Sequence, residues 1–170
     1  MNLTSAQANK LLRRLREERD LIAAREEGAM TFVAALQEDV EEARPEYDFE
    51  AAQRALNELD KRIMTIRHAV NIFNTTHHLP GFDLTIDEAL VRLPQLRQQK
   101  DKLRAMAARP AKQRVNDSYS GSSKIEYTYA NYDIHLAQRA LDETSDTLAK
   151  MQMALDIVNT QEAMDIDIEL

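Results

Sequence analysis

The sequence predicts an all-α protein, an elongated antiparallel helical bundle with coiled-coil-like seams. Three observations predict it. Phe49, Ala52, Leu56, Leu59, Ile63, Ile66, Val70 and Phe73 recur at alternating spacings of three and four. That heptad pattern gives one helix a continuous apolar stripe. Ile134, Leu141, Leu148 and Leu155 repeat by sevens, with Ala137, Thr144, Met151 and Val158 in the companion position. Third, the 170 residues include only 3 Gly and 4 Pro, with 30% charged residues, 5% aromatics and no Trp. Such a chain has little material for turns and favours long helices with few connections. An isolated apolar stripe would lie in water, whereas burial is worth about 25 cal/mol per Å2, so the stripes should pack on one another. The thin aromatic content predicts that one chain does not close its own core. Self-association is expected through the same stripes, with Ile134, Leu141, Leu148 and Leu155 as the oligomer seam.

A single helical domain over 1–170 is expected, with helices over about 4–44, 49–74, 85–108 and 132–158. Thr4 or Ser5 can cap the first helix, and Pro45 stops it. Its apolar positions are Leu12, Leu15, Ile22, Ala29, Val33, Leu36 and Val40. Arg19 and Glu26 fall on the same stripe. They are either partly exposed or meet charged partners inside an assembly. Gly28 marks a kink or break, since glycine costs roughly 1 kcal/mol inside a helix. Pro45, Glu46, Tyr47 and Asp48 form a turn, and Asp48 caps the second helix. Thr85 and Glu88 make a capping box for the third. Pro94 should bend that helix or delay its regular start. Pro110 ends it, and residues 115–123 are the most loop-like stretch of the chain. Ile125, Tyr127 and Tyr129 alternate with polar residues, as does the tail. These predict a short two-stranded β element from about 124–129 and 164–170. Asn131 or Asp133 starts the last helix.

Several function classes are disfavoured. A net charge of -7 argues against nucleic-acid binding. The basic groups Arg13, Arg14, Arg16 and Arg19, and Arg92, Arg97, Lys100, Lys102 and Arg104, read as solvated helix faces with acidic neighbours. Absence of Cys removes disulfides, thiol nucleophiles and thiolate metal sites, and fits a cytoplasmic location. The first residues do not read as a signal peptide, and no apolar run reaches membrane-spanning length, so no membrane partner is expected. No Ser-His-Asp order, GxSxG, HExxH or paired-carboxylate motif appears, so no enzyme and no cofactor are expected. His77 and His78 are adjacent and point apart in regular structure, so no metal site is expected. Asp165, Asp167 and Glu169 could attract a cation, although a solvated acidic strand is the usual meaning.

Two polar clusters are the candidate ligand-binding residues. The first, Asn71, Asn74, Thr75 and His77, ends the second helix. Its amides, hydroxyls and imidazole can hydrogen-bond a polar ligand, and they can equally cap the helix and its turn. A helix C-terminus disfavours anions, so an anionic ligand would need Arg67, Lys124 or another subunit. The second, Tyr119, Ser120, Ser122 and Lys124, could hold a phosphate through hydroxyls, backbone N–H groups and one ammonium. It lacks the spacing of a P-loop, and a solvated loop is the alternative.

The chain resembles a small group of bacterial and phage-borne helical proteins of unknown function labelled septicolysin-like. Val70-Asn71-Ile72-Phe73-Asn74-Thr75 is similar to that family's Ile-Asn-x-x-Asn-Ser/Thr signature. Leu84-Thr85 with Glu88-Ala89-Leu90, Tyr119-Ser120 with Ser122 and Lys124-Ile125, and Ile157-Val158-Asn159 resemble its further segments. The chain departs at Ser118 and Gly121, where the family has arginines, and at Thr160, where it has tryptophan. An anion site built on those arginines is therefore not carried over. The resemblance implies an elongated helical bundle and no established activity. The expected function is a non-enzymatic helical homo-oligomer acting through binding, as a protein-interaction or structural module. The alternative is a small-molecule binder that sequesters a polar or phosphate-bearing, anionic ligand through loops 71–78 and 118–124.

Overall fold

Residues 1–115 and 125–168 are described by the computed structural model. Their elements run β1 (Asn2–Thr4), α1 (Ser5–Ala29), α2 (Val40–Ala43), α3 (Phe49–Thr76), α4 (Ile86–Ala107), β2 (Lys112–Arg114), β3 (Tyr127–Tyr129), α5 (Ile134–Gln161) and β4 (Ala163–Asp165). The protein is mainly α-helical. It divides into two units, one of residues 1–77 and 157–168, the other of residues 78–156.

In the first unit Thr4 caps α1 through a reciprocal capping box. Its hydroxyl accepts from the Gln7 N–H at 3.3 Å, and the Gln7 side chain accepts from the Thr4 N–H at 2.9 Å. Ser5, Ala8, Leu12 and Leu15 are the buried line of α1, and Leu59, Ile66 and Phe73 that of α3. α1 packs on α3. Arg19 meets Asp60, and further along α1 Glu26 meets Gln53. Rising numbers on one helix face falling numbers on the other, so the pair is antiparallel. β1 and β4 form an antiparallel pair, Asn2 opposite Asp165, Leu3 opposite Met164 and Thr4 opposite Ala163. Met164 and Ile166 are buried.

In the second unit Leu79 is buried and its N–H donates to the Leu84 carbonyl at 2.8 Å. Gly81 turns this loop at φ +80°, a conformation that favours glycine. The expected capping box starts α4. The Thr85 N–H and hydroxyl donate to Glu88 at 2.7 and 3.0 Å. These bonds, the backbone one first, hold the Glu88 carboxyl below the usual carboxylate range, with a smaller contribution from His78. β2 and β3 form a hairpin, Lys112 opposite Tyr129 and Arg114 opposite Tyr127. Asp133 caps α5, accepting from the His135 N–H at 2.8 Å. α5 supplies residues 134–156 to this unit and 157–161 to the first.

Four expectations are corrected. The helix expected over 4–44 ends at Ala29, and only the short α2 follows before Pro45. Val33 and Leu36, expected to be inward, are 94% and 97% exposed. The α1–α3 register explains this, because it sets residue 30 opposite Phe49, the first residue of α3. Further helix would have nothing to pack on, and most helical stability comes from packing. Gly28 and the poor helix formers Thr31, Phe32 and Val33 add to the break. Second, Phe49, the first residue of the α3 stripe expected to pack, is 61% exposed, while Leu56, Ile63 and Val70 are half-buried. Third, of the two effects expected of Pro94, a bend or a delayed start, the delay does not occur, since α4 is already helical from Ile86. Fourth, the segments expected to pair as one β element have other partners. Tyr127–Tyr129 pairs with the nearby Lys112–Arg114, a short loop closure, and Ala163–Asp165 pairs with Asn2–Thr4. Residues 124, 169 and 170 of those segments lie outside the described residues.

Candidate functional site

The C-terminal half of α3 carries two unlike faces. Leu59, Ile66 and Phe73 mark the buried one. Asn71 is two residues from Phe73, about 200° around the helix. It is exposed rather than buried on the seam, and water can hydrogen-bond its amide. It lies with Arg67 and His68 along a groove of about 370 Å3 on α3. Asn74 is half-buried. Thr75 is committed to its own helix: its hydroxyl donates to the Asn71 and Ile72 carbonyls, both at 3.0 Å. The Thr76 hydroxyl does the same to Ile72 at 2.8 Å. These are back-bonds to carbonyls inside the helix, whose end is closed by the His77 N–H donating to the Phe73 carbonyl at 2.9 Å. Tyr119, Ser120, Ser122 and Lys124 lie outside the described residues.

His77 belongs to a different and better-formed site. A pocket of about 440 Å3 opens between α3 and β4, within the first unit. From α3 come Thr65, His68, Ala69, Ile72, Phe73 and Thr76, followed by His77. Ala163, Met164, Asp165 and Asp167 line the other side. The His77 ring stacks on the buried Phe73, with centroids 3.9 Å apart and planes 29° from parallel. His77 Nε2 is 4.0 Å from Glu162 Oε2. Asp165 Oδ1 lies 3.2 Å from the Met1 amino group. Among the described residues no lysine or arginine lines the pocket, and no group of three or more His, Asp and Glu could hold a metal ion. Of the expected ligand-binding residues that are described, only His77 lines this pocket.

His68, Ile72 and Thr65 were not singled out by sequence reasoning. A signal for them exists: positions 65, 68, 69, 72 and 76 recur at three and four, a second stripe beside the heptad. In the tail, positions 163, 165 and 167 alternate onto one side of an extended segment.

The expected oligomer seam lies along α5. Leu155 is buried, whereas Ile134, Leu141 and Leu148 are half-buried. The companion line of Ala137, Thr144, Met151 and Val158 is the buried one. Leu148 shares a groove of about 260 Å3 with Arg97 and Lys100 of α4, beside which Arg97 donates to Gln152 at 3.1 Å. Among the described residues no helix is long and apolar enough to cross a membrane.

No family model matches the chain, and no curated protein matches it. A crystal structure described as that of a functionally unknown conserved protein from Corynebacterium diphtheriae is similar to it. The two are 15% identical, with a TM-score of 0.56, over 97% of this chain and 100% of that one. At this identity the likeness shows the fold alone.

Proposed function

We propose that the protein is a non-enzymatic helical module that acts by binding other protein surfaces, beginning with its own. One observation carries this reading. Each heptad has one buried line and one half-exposed line: Leu56, Ile63 and Val70 on α3, and Ile134, Leu141 and Leu148 on α5. Half-exposed apolar residues repeating by sevens are what a further helix packs against. The septicolysin-like resemblance and a cytoplasmic location belong to the same proposal. Light scattering tests it. At micromolar concentration the mass should be a multiple of 19.5 kDa, and Leu148→Glu should lower it with the helical circular dichroism kept. A mass of one chain overturns the proposal.

A second reading, sequestration of a phosphate-bearing ligand, is favoured by Arg67 lying beside Asn71 and His68 along α3. Calorimetric titration with inorganic pyrophosphate tests it, with Arg67→Ala expected to abolish the heat.

A further inference from the structure

The geometry points to the pocket between α3 and β4 as the binding site of a small organic ammonium ion that carries an apolar group. This inference is independent of both readings above, because it rests on neither half-exposed heptad line nor Arg67.

The volume, about 440 Å3, falls within the range of roughly 300–1,000 Å3 that small ligands occupy. The lining is divided by chemistry. Ile72, Phe73 and Met164 supply an apolar floor, of which Phe73 and Met164 are buried while Ile72 is half exposed. An apolar group seated there would remove the exposed side of Ile72 from water. The polar lining is hydroxyls, imidazoles and carboxylates. Asp165 already meets the Met1 amino group, but the Asp167 carboxylate has no hydrogen bond or ion pair among the described residues. Glu162, 4.0 Å from His77, adds negative charge beside the lining. Among the described residues no lysine or arginine lines the pocket, and the Met1 ammonium beside it is already paired with Asp165, so the unpaired Asp167 charge favours an ammonium over an anion. An ammonium N–H can donate to Asp167 and to an imidazole nitrogen of His68 or His77.

The test is an amide NMR titration of the full chain with 2-phenylethylamine, its uncharged analogue 2-phenylethanol, and the anion phenylacetate. The amine should saturate and shift the amides of residues 65–77 and 163–167. It should bind about tenfold more tightly than the alcohol, the scale of one hydrogen bond to a charged group, and phenylacetate should not saturate. Asp167→Asn removes the charge at an exposed position and should weaken the amine about tenfold with the melting temperature unchanged. Ile72→Ala should weaken amine and alcohol alike. Equal binding of alcohol or anion, shifts confined to other residues, full affinity in Asp167→Asn, or no saturation below about 10 mM each overturn the assignment.

Discussion

Glu26 is a charge on an apolar stripe, and its partners show how a helix pair accommodates one. Its Oε1 accepts from the Tyr47 hydroxyl at 2.6 Å and from the Gln53 amide at 2.7 Å. Arg19, one heptad earlier, has its own partner in Asp60 at 2.7 Å. Both stripe charges are thus satisfied within the chain. The bond to Glu26 pushes the Tyr47 hydroxyl up to about 12, with burial and the Glu26 charge adding to it. A phenol ordinarily titrates near 10. Because the folded value is the higher, the bond's stabilisation is complete below about pH 10 and is lost as pH rises through about 12. Following tyrosinate absorbance, one of the 5 tyrosines should ionise last, near 12. In Glu26→Gln that late step should move towards the others; an unchanged titration would sink the assignment. Ser5 presents the opposite situation. Its hydroxyl is buried with no hydrogen-bond partner among the described residues, which costs about 1–3 kcal/mol. Ser5→Ala removes that cost and improves helix propensity. Urea unfolding should show a gain of about 1 kcal/mol, and a loss would mean that the hydroxyl has a partner.

At the scale of elements, the same heptad holds residues of unequal weight. Ile66 is fully buried and Ile63 half-buried, one turn apart on α3. Ile66→Ala should cost about 2–5 kcal/mol in unfolding free energy. Ile63→Ala should cost roughly half as much. Equal costs would mean that the two lines are equally enclosed. Much at this scale was legible in the sequence. The centres of α3, α4 and α5, the caps Thr4, Asp48, Thr85 and Asp133, and the strand at Tyr127–Tyr129 all follow from local chemistry. The illegible parts were those set by distant residues. Where α1 stops depends on where α3 begins, and periodicity continues past that point into Val33 and Leu36. Which strand meets which depends on chain closure rather than on alternation. The pocket was least legible. His77 was within reach as a polar residue at a helix end, but its neighbours come from a tail almost ninety positions further on. Nothing in the pattern of α3 indicates that the tail returns there.

For the whole molecule, the first unit is discontinuous in sequence: the second unit is inserted between α3 and the end of α5. The β1–β4 pair joins the two pieces, and Met164 is its buried centre. Met164→Ala should therefore act on residues far from it in the chain. In native-state hydrogen exchange the amides of residues 2–4 should lose protection, while those in the middle of α4 should not. Uniform loss throughout the chain would show instead that the protein opens only as a whole.

The same pairing has a consequence for synthesis. α1 and α3 are complete once residue 77 has left the ribosome, and they can dock at once. The partner of β1 arrives only with residue 165. At ~5–20 residues per second the interval is roughly 4–18 s. Throughout it, the nascent chain exposes a bare strand edge, with Leu3 at its centre and no complementary strand yet made. A protein whose finished form covers that edge must pass through seconds in which a neighbouring nascent chain, or a chaperone, could occupy it first.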